Sequence, residues 1–103
     1  MTNVIELKNK TDYDNLVKNN KKCIIFYSAE KCKFCKELYP FYERISNRYH
    51  KKCKFAYVDI MKIGMVIEAL PAFAIIYNGS EIDNISTSDK FKMKEIITKL
   101  LKK

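Results

Sequence analysis

Lys22-Cys23-Ile24-Ile25-Phe26-Tyr27-Ser28-Ala29-Glu30-Lys31-Cys32-Lys33-Phe34-Cys35 is the stretch around which the chain is organised. The apolar, partly β-branched run from Cys23 to Tyr27 shows no alternation of polar and apolar residues, so it reads as a strand buried on both faces, as a central parallel strand is. After Cys32 the residues Cys35, Leu38, Tyr42, Ile45 and Tyr49 recur at helical spacing and form one apolar stripe, which turns Cys35 inward. Pro40 lies within this helix, removes a backbone donor and is expected to kink it. A strand that delivers Cys-x-x-Cys to a helix start is a redox arrangement. A thiolate in the first turn faces unpaired N–H groups and the positive end of the helix dipole, which lowers its pKa below the free value of about 8.5. Lys31, Lys33 and Lys36 add positive charge nearby and favour a Cys32 thiolate further.

Several of these residues, with others downstream, resemble the thioredoxin superfamily. Ala29-Glu30 precedes the motif, Lys36 follows it, Pro40 lies beyond Cys35, and Leu70-Pro71-Ala72-Phe73 resembles the family's cis-proline loop. Asn78-Gly79 falls where such proteins turn between their last two strands. The resemblance implies a thioredoxin fold of the α/β class: a central mixed sheet of four to five strands flanked by about four helices, as a single domain over residues 1–103. It implies a thiol-disulfide oxidoreductase acting on protein disulfides, with Cys32 as nucleophile and Cys35 as the resolving thiol. Lys31, Lys33 and Lys36 would tune the redox couple. Phe34, Leu70 and a cis Pro71 would form the substrate groove, with the backbone of Leu70 pairing with an extended substrate segment. Two alternatives remain: an oxidant or isomerase similar to a protein disulfide isomerase domain, and a binding module with weak redox turnover.

The departures from the family pattern matter as well. Thioredoxins usually carry Trp before the first Cys, Gly-Pro between the cysteines and a buried Asp six residues before the first Cys. Those positions hold Lys31, Lys33-Phe34 and Phe26, and the Lys that neighbours the buried Asp on the third strand is matched by Tyr57. Both members of a buried proton-handling pair are thus replaced. Water, Glu30 or the Tyr57 hydroxyl are candidates to substitute in helping Cys35 lose its proton. Positive charge around Cys32 stabilises the reduced form, so the couple is expected above thioredoxin's roughly −270 mV, toward the glutaredoxin range of about −230 to −200 mV.

The remaining segments fill out one small domain. Val4-Ile5-Glu6-Leu7 reads as a first strand, followed by a helix with Thr11 as N-cap and Asp14 in its first turn. Lys54–Asp59 is the third strand, and Met61–Leu70 a short helix or loop. The Asn78-Gly79 turn joins two strands in a hairpin, and a final helix begins near Ser88-Asp89. Cys23 and Cys53 would begin neighbouring parallel strands if the sheet follows the family. They would then lie side by side, either as a second disulfide pair or as two small buried hydrophobes.

The chain has 48% hydrophobic residues, two glycines, two prolines and a net charge of +8. Its lysines look scattered along the sequence rather than grouped, so neither nucleic acid nor a membrane is expected as a partner. The expected partners are disulfide-containing proteins and a recycling reductase, with the protein itself a monomer. No cofactor is expected. Zinc would need four ligands, and there is no second Cys-x-x-Cys or Cys/His pair to complete a site. His50, the single histidine, reads as a solvated residue near a helix C-terminus. No segment is long and apolar enough to span a membrane, and the N-terminus lacks the basic and apolar regions of a signal peptide, so a cytoplasmic location is the expectation.

Overall fold

The run Lys22–Ser28 forms strand β2, and its stretch from Cys23 to Phe26 is apolar and buried because other elements cover both faces of the sheet it centres. The computed structural model describes residues 3–103; Met1 and Thr2, read above as part of the N-terminus, lie outside them. Around β2 the chain supplies β1 (Val4–Glu6), α1 (Lys10–Asn19), α2 (Lys33–Tyr49), β3 (Lys54–Asp59), β4 (Ala72–Tyr77), β5 (Ser80–Ser86) and α3 (Lys90–Leu101). The five strands are ordered β1-β3-β2-β4-β5. β1 and β2 pair with β3 in parallel, whereas β4 runs antiparallel to both β2 and β5.

Strand alternation divides the interior into two layers. Ile24, Phe26, Phe55, Phe73 and Ile75 point to one face and pack with Leu38 and Tyr42 of α2 and with Met93, Ile97 and Leu100 of α3. Cys23, Ile25, Ala56, Val58, Ala74 and Ile76 point to the other face, against Leu16 of α1 and Leu7. At the centre of the first layer Phe26 meets Phe73 with ring centroids 4.6 Å apart and Tyr42 at 5.0 Å. The Tyr42 hydroxyl reaches the carbonyl oxygens of Ile24 (3.1 Å) and Ala56 (2.7 Å), so its polar end is satisfied by two adjacent strands.

The turn between β4 and β5 places Asn78 at φ 52° and Gly79 at φ 82°. Both central residues of a type I′ turn need positive φ, which is why Asn-Gly serves here. Asp89 caps α3 by accepting the Phe91 N–H at 2.8 Å. α2 continues through Pro40 as one helix.

Three features differ from the expectations. There are three helices rather than about four: between β3 and β4 the chain makes only turns, with Gly64 at φ 69° and Met65 N–H donating to the Ile60 carbonyl. A short span that must reverse direction and then enter Pro71 leaves little room to repay helix nucleation. The N-cap of α1 is Asn9, not Thr11, and Asp12 rather than Asp14 lies in the first turn. Asn9 Oδ1 accepts the Asp12 N–H at 2.8 Å while Asp12 Oδ2 accepts the Lys8 N–H at 2.9 Å, so two donors at the helix start are satisfied with Asn9 as the cap. The lysines, finally, are partly grouped. Lys21, Lys22, Lys51, Lys52 and Lys54 converge with His50 on a cleft of about 360 Å³ at the start of β2 and β3.

Candidate functional site

The site lies at the C-terminal ends of β2 and β3, where ligands of α/β sheets usually bind. β2 ends at Ser28, and the Cys32 N–H then donates to the Ala29 carbonyl at 3.0 Å, which tightens the turn into α2. Cys32 is the N-cap of that helix, and its Sγ accepts the Cys35 N–H at 3.2 Å. A sulfur in the cap position stands where a capping oxygen would, against the donors of the first turn. Cys32 and Cys35 form a disulfide with their Cα atoms 5.3 Å apart.

The two sulfurs have unequal surroundings. Cys32 is half-buried at the surface, whereas Cys35 is 1% exposed and belongs to the layer beneath α2. Lys31, Lys33 and Lys36 are all exposed around the pair, and Phe34 presents 56% of its surface between the cysteines. The Leu70–Pro71 bond is cis. Pairing of Tyr27 with Ala72 brings the fully buried Pro71 to the end of β2, and its carbonyl accepts the Thr87 N–H at 3.0 Å. Leu70 is half-buried and packs against both layers. The structure therefore gathers Cys32, Cys35, their three lysines, Phe34, Leu70 and Pro71 at one end of the sheet.

Cys23 and Cys53 do not join them, nor each other; both thiols are unpaired and buried. The register sets Cys23 opposite Lys54 rather than Cys53. That offset of one residue turns the two side chains to opposite faces, Cys23 into the layer with α1 and Cys53 into the layer with α2 and α3. The expectation that they lie side by side is thus corrected. Burial pushes the Cys23 thiol up to about 11 and the Cys53 thiol up to about 12, so both stay protonated at neutral pH.

Beneath Cys35 the pair of positions that could have held a proton-handling Asp and Lys is aromatic. Phe26 stands 6.1 Å from Tyr57 and 6.3 Å from Tyr39, centroid to centroid. Beside this cluster a cavity of about 690 Å³ reaches Cys35, with Ser28, Glu30, Tyr57 and Asp59 among its walls. Asp59 was not singled out from the sequence. Its signal was the alternation of β3, which puts Phe55, Tyr57 and Asp59 on one face, but only the pairing of Ser28 with Asp59 shows that this face ends below the disulfide. Among the described residues no group of three or more His, Cys, Asp or Glu side chains is placed to hold a metal ion.

Comparison with known proteins agrees with this geometry. The family profile for thioredoxin matches residues 3–102. Thioredoxin 1 of Plasmodium falciparum is 30% identical over 95 residues, covering 87% of this chain and 90% of its own. Putative thioredoxin-5 of Dictyostelium discoideum is 26% identical, covering 93% and 97% respectively. Among solved structures, a thioredoxin of P. falciparum superposes with a TM-score of 0.87 at 30% identity over 93% of this chain and 98% of that one. The thioredoxin of Malassezia sympodialis gives a TM-score of 0.89 at 25% identity, over 98% and 93%. A Cys-x-x-Cys disulfide at a helix start, a cis-proline at the same end of the sheet, and a matching profile over nearly the whole length leave one conclusion: the chain belongs to the thioredoxin family and is a thiol-disulfide oxidoreductase.

Proposed function

We propose that Cys32 is the attacking thiolate and Cys35 the resolving thiol in reduction of protein disulfides. The observation that carries this assignment is the asymmetry of the pair, with Cys32 at the surface on the helix N-terminus and Cys35 1% exposed behind it. The helix start and the three lysines favour the anionic sulfur at Cys32. Cys32 attacks a substrate disulfide and forms a mixed disulfide; Cys35 then attacks Cys32, closes the ring and releases the substrate as a dithiol. Phe34 and Leu70 offer the substrate an apolar contact, and the backbone of Leu70 beside cis Pro71 pairs with an extended segment. The protein acts as a single domain and a monomer in the cytoplasm, and a separate reductase returns its disulfide to the dithiol.

Cys35→Ser tests the assignment directly. The variant should accumulate covalent mixed disulfides through Cys32 with many disulfide proteins, and Cys32→Ser should accumulate none. One partner held without a covalent bond would instead support the binding module. Equilibration of the native pair against glutathione buffers, read by alkylation mass shift, adds the direction of flux. A potential near or below about −250 mV marks a reductase, and one near −180 mV an oxidant or isomerase.

A further inference from the structure

Asp59 is the one buried carboxylate among the described residues, 7% exposed. It shares a cavity of about 690 Å³ with Cys35, at the point where β2 and β3 end. Ser28 stands directly across from it in the parallel register, and both side chains lie on the sheet face that α2 covers. One carboxylate oxygen is engaged: Oδ1 accepts the Met61 N–H at 3.0 Å. That bond fixes the side chain in the cavity wall and leaves lone pairs on the second oxygen for water, of which a cavity of this size holds several.

The resolving step needs what this cavity offers. Cys35 must lose its proton before its sulfur can attack, because the thiolate and not the thiol is the nucleophile. At 1% exposure Cys35 cannot hand that proton straight to bulk solvent. Building on the reading of Cys35 as the resolving thiol, we propose that Asp59 is its proton acceptor, reached through water in the cavity with the Ser28 hydroxyl beside the path. The proton leaves Cys35 Sγ for the Asp59 carboxylate. The Cys35 thiolate then attacks Cys32 Sγ, the Cys32–Cys35 bond forms, and the bond from Cys32 to the substrate sulfur breaks. The substrate sulfur leaves as a thiolate. Two electrons pass from the protein dithiol to the substrate disulfide, and Asp59 gives up its proton through the same water to the leaving substrate thiolate or to bulk solvent.

Other charged or titratable groups face the cavity from each packed element. β1 contributes Glu6, and the loop after β3 contributes Lys62, 3.8 Å from Glu6. Glu30 precedes the cysteines, α2 contributes Lys36 and Tyr39, and β3 contributes Tyr57. Glu6 and Glu30 are exposed, so their carboxylates sit in solvent at the rim rather than fixed below Cys35. The two lysines bear no basic lone pair in their charged state, and a neutral tyrosine is a poor base.

A purely structural role for Asp59 would be to shape the turn into Met61, and Asn would fill that role equally because its Oδ1 also accepts the N–H. Asp59→Asn therefore separates the two roles. The reduced protein is mixed with 5,5′-dithiobis(2-nitrobenzoate) by stopped flow. The first release of thionitrobenzoate reports attack by Cys32, and the second reports resolution by Cys35. In D59N the first phase should be unchanged. The second should be slower by about 10- to 100-fold at pH 6 to 7, rise in proportion to hydroxide and converge with the native rate at high pH. Glu6→Gln, at the exposed rim of the same cavity, should leave both phases as they are. A D59N second phase equal to native at every pH, or slower by one constant factor at all pH values, overturns the inference. If D59N does not fold, the native protein carries the test. An internal acceptor makes the second-phase rate independent of imidazole concentration at fixed pH, and a rate that climbs with imidazole overturns it. A native protein with no second phase would sink the resolving role of Cys35 itself, a result distinct from a second phase indifferent to Asp59.

Discussion

In the proposed tuning of Cys32, Lys31, Lys33 and Lys36 would act only through a solvated medium, since all three are exposed. Exposed charges are screened beyond about 8 Å at physiological salt, so their combined effect on the couple is modest. Replacing all three by Gln should make the potential more negative, because the reduced thiolate loses its nearby cations, by about 10 to 30 mV at low salt. The shift should shrink as salt is added, as glutathione-buffer titrations at two ionic strengths would reveal; a shift to more positive values would contradict the role given to the lysines. Phe34, in contrast, contributes surface rather than charge. Phe34→Ser should leave the melting temperature nearly unchanged, because over half of the side chain is already in water. Its effect belongs in KM for a protein disulfide, which should rise severalfold while the rate with a small disulfide stays constant. The Cys-x-x-Cys pair and its cationic neighbours were legible in the sequence because their chemistry depends on spacing of a few residues. Asp59 was not, because its place beside Cys35 joins the end of β3 to the first turn of α2, two segments more than twenty residues apart in the chain.

Among the elements, α2 and the strands beneath it are joined by Tyr42. Its ring fills the layer between Phe26, Phe55 and Phe73, and its hydroxyl reaches two strand carbonyls. Tyr42→Phe retains the ring and deletes the hydroxyl, so it should cost about 1 to 2 kcal/mol in urea unfolding with the m-value unchanged. No loss of stability would mean that these carbonyls are satisfied without it. α1 depends instead on its cap. Asn9→Ala should cost about 1 kcal/mol, and Thr11→Ala should cost less, which reverses the order expected from sequence. Capping patterns are ambiguous where Asn, Thr and Asp crowd together, as they do from Asn9 to Asp14. Which residue caps is then decided by where the preceding strand ends and the chain turns.

For the whole molecule, the buried titrating groups set its behaviour in alkali. Burial raises Cys23 from 9.0 to about 11 and Cys53 from 9.0 to about 12, and raises the fully buried Tyr42 well above 10.0. Below about pH 9 these groups are protonated whether the chain is folded or not, and they impose no penalty. Above it the unfolded chain loses these protons first, so the native state holds more of them and stability falls as pH rises through the folded values. Each unit of separation is worth about 1.4 kcal/mol per group. Denaturant midpoints should therefore drop steeply between pH 9 and pH 12 for the reduced protein, and Cys53→Ala should make that slope shallower whatever it does at neutral pH. The basic cleft at the opposite end of β2 and β3 adds a salt-dependent part. Its five lysines repel one another across about 360 Å³, so Lys51→Gln with Lys52→Gln should raise the melting temperature by a few degrees at low salt and by nothing at high salt. Equal gains at both ionic strengths would remove repulsion as the cause.

The parts of the fold whose physics is local were readable from the residues alone. An apolar run without alternation specified β2 as a buried strand, Cys-x-x-Cys after it specified a redox pair on a helix start, Asn78-Gly79 specified a turn with two positive φ values, and Asp89 specified the start of α3. The register between β2 and β3 emerged only with the assembled sheet. That register follows from packing summed over both layers and from a connection of some two dozen residues, and no short window of sequence contains it. A shift of one residue would have brought Cys23 beside Cys53. The observed pairing instead sets Cys23 opposite Lys54, separates the two thiols by the thickness of the sheet, and places Asp59 opposite Ser28 beneath Cys35.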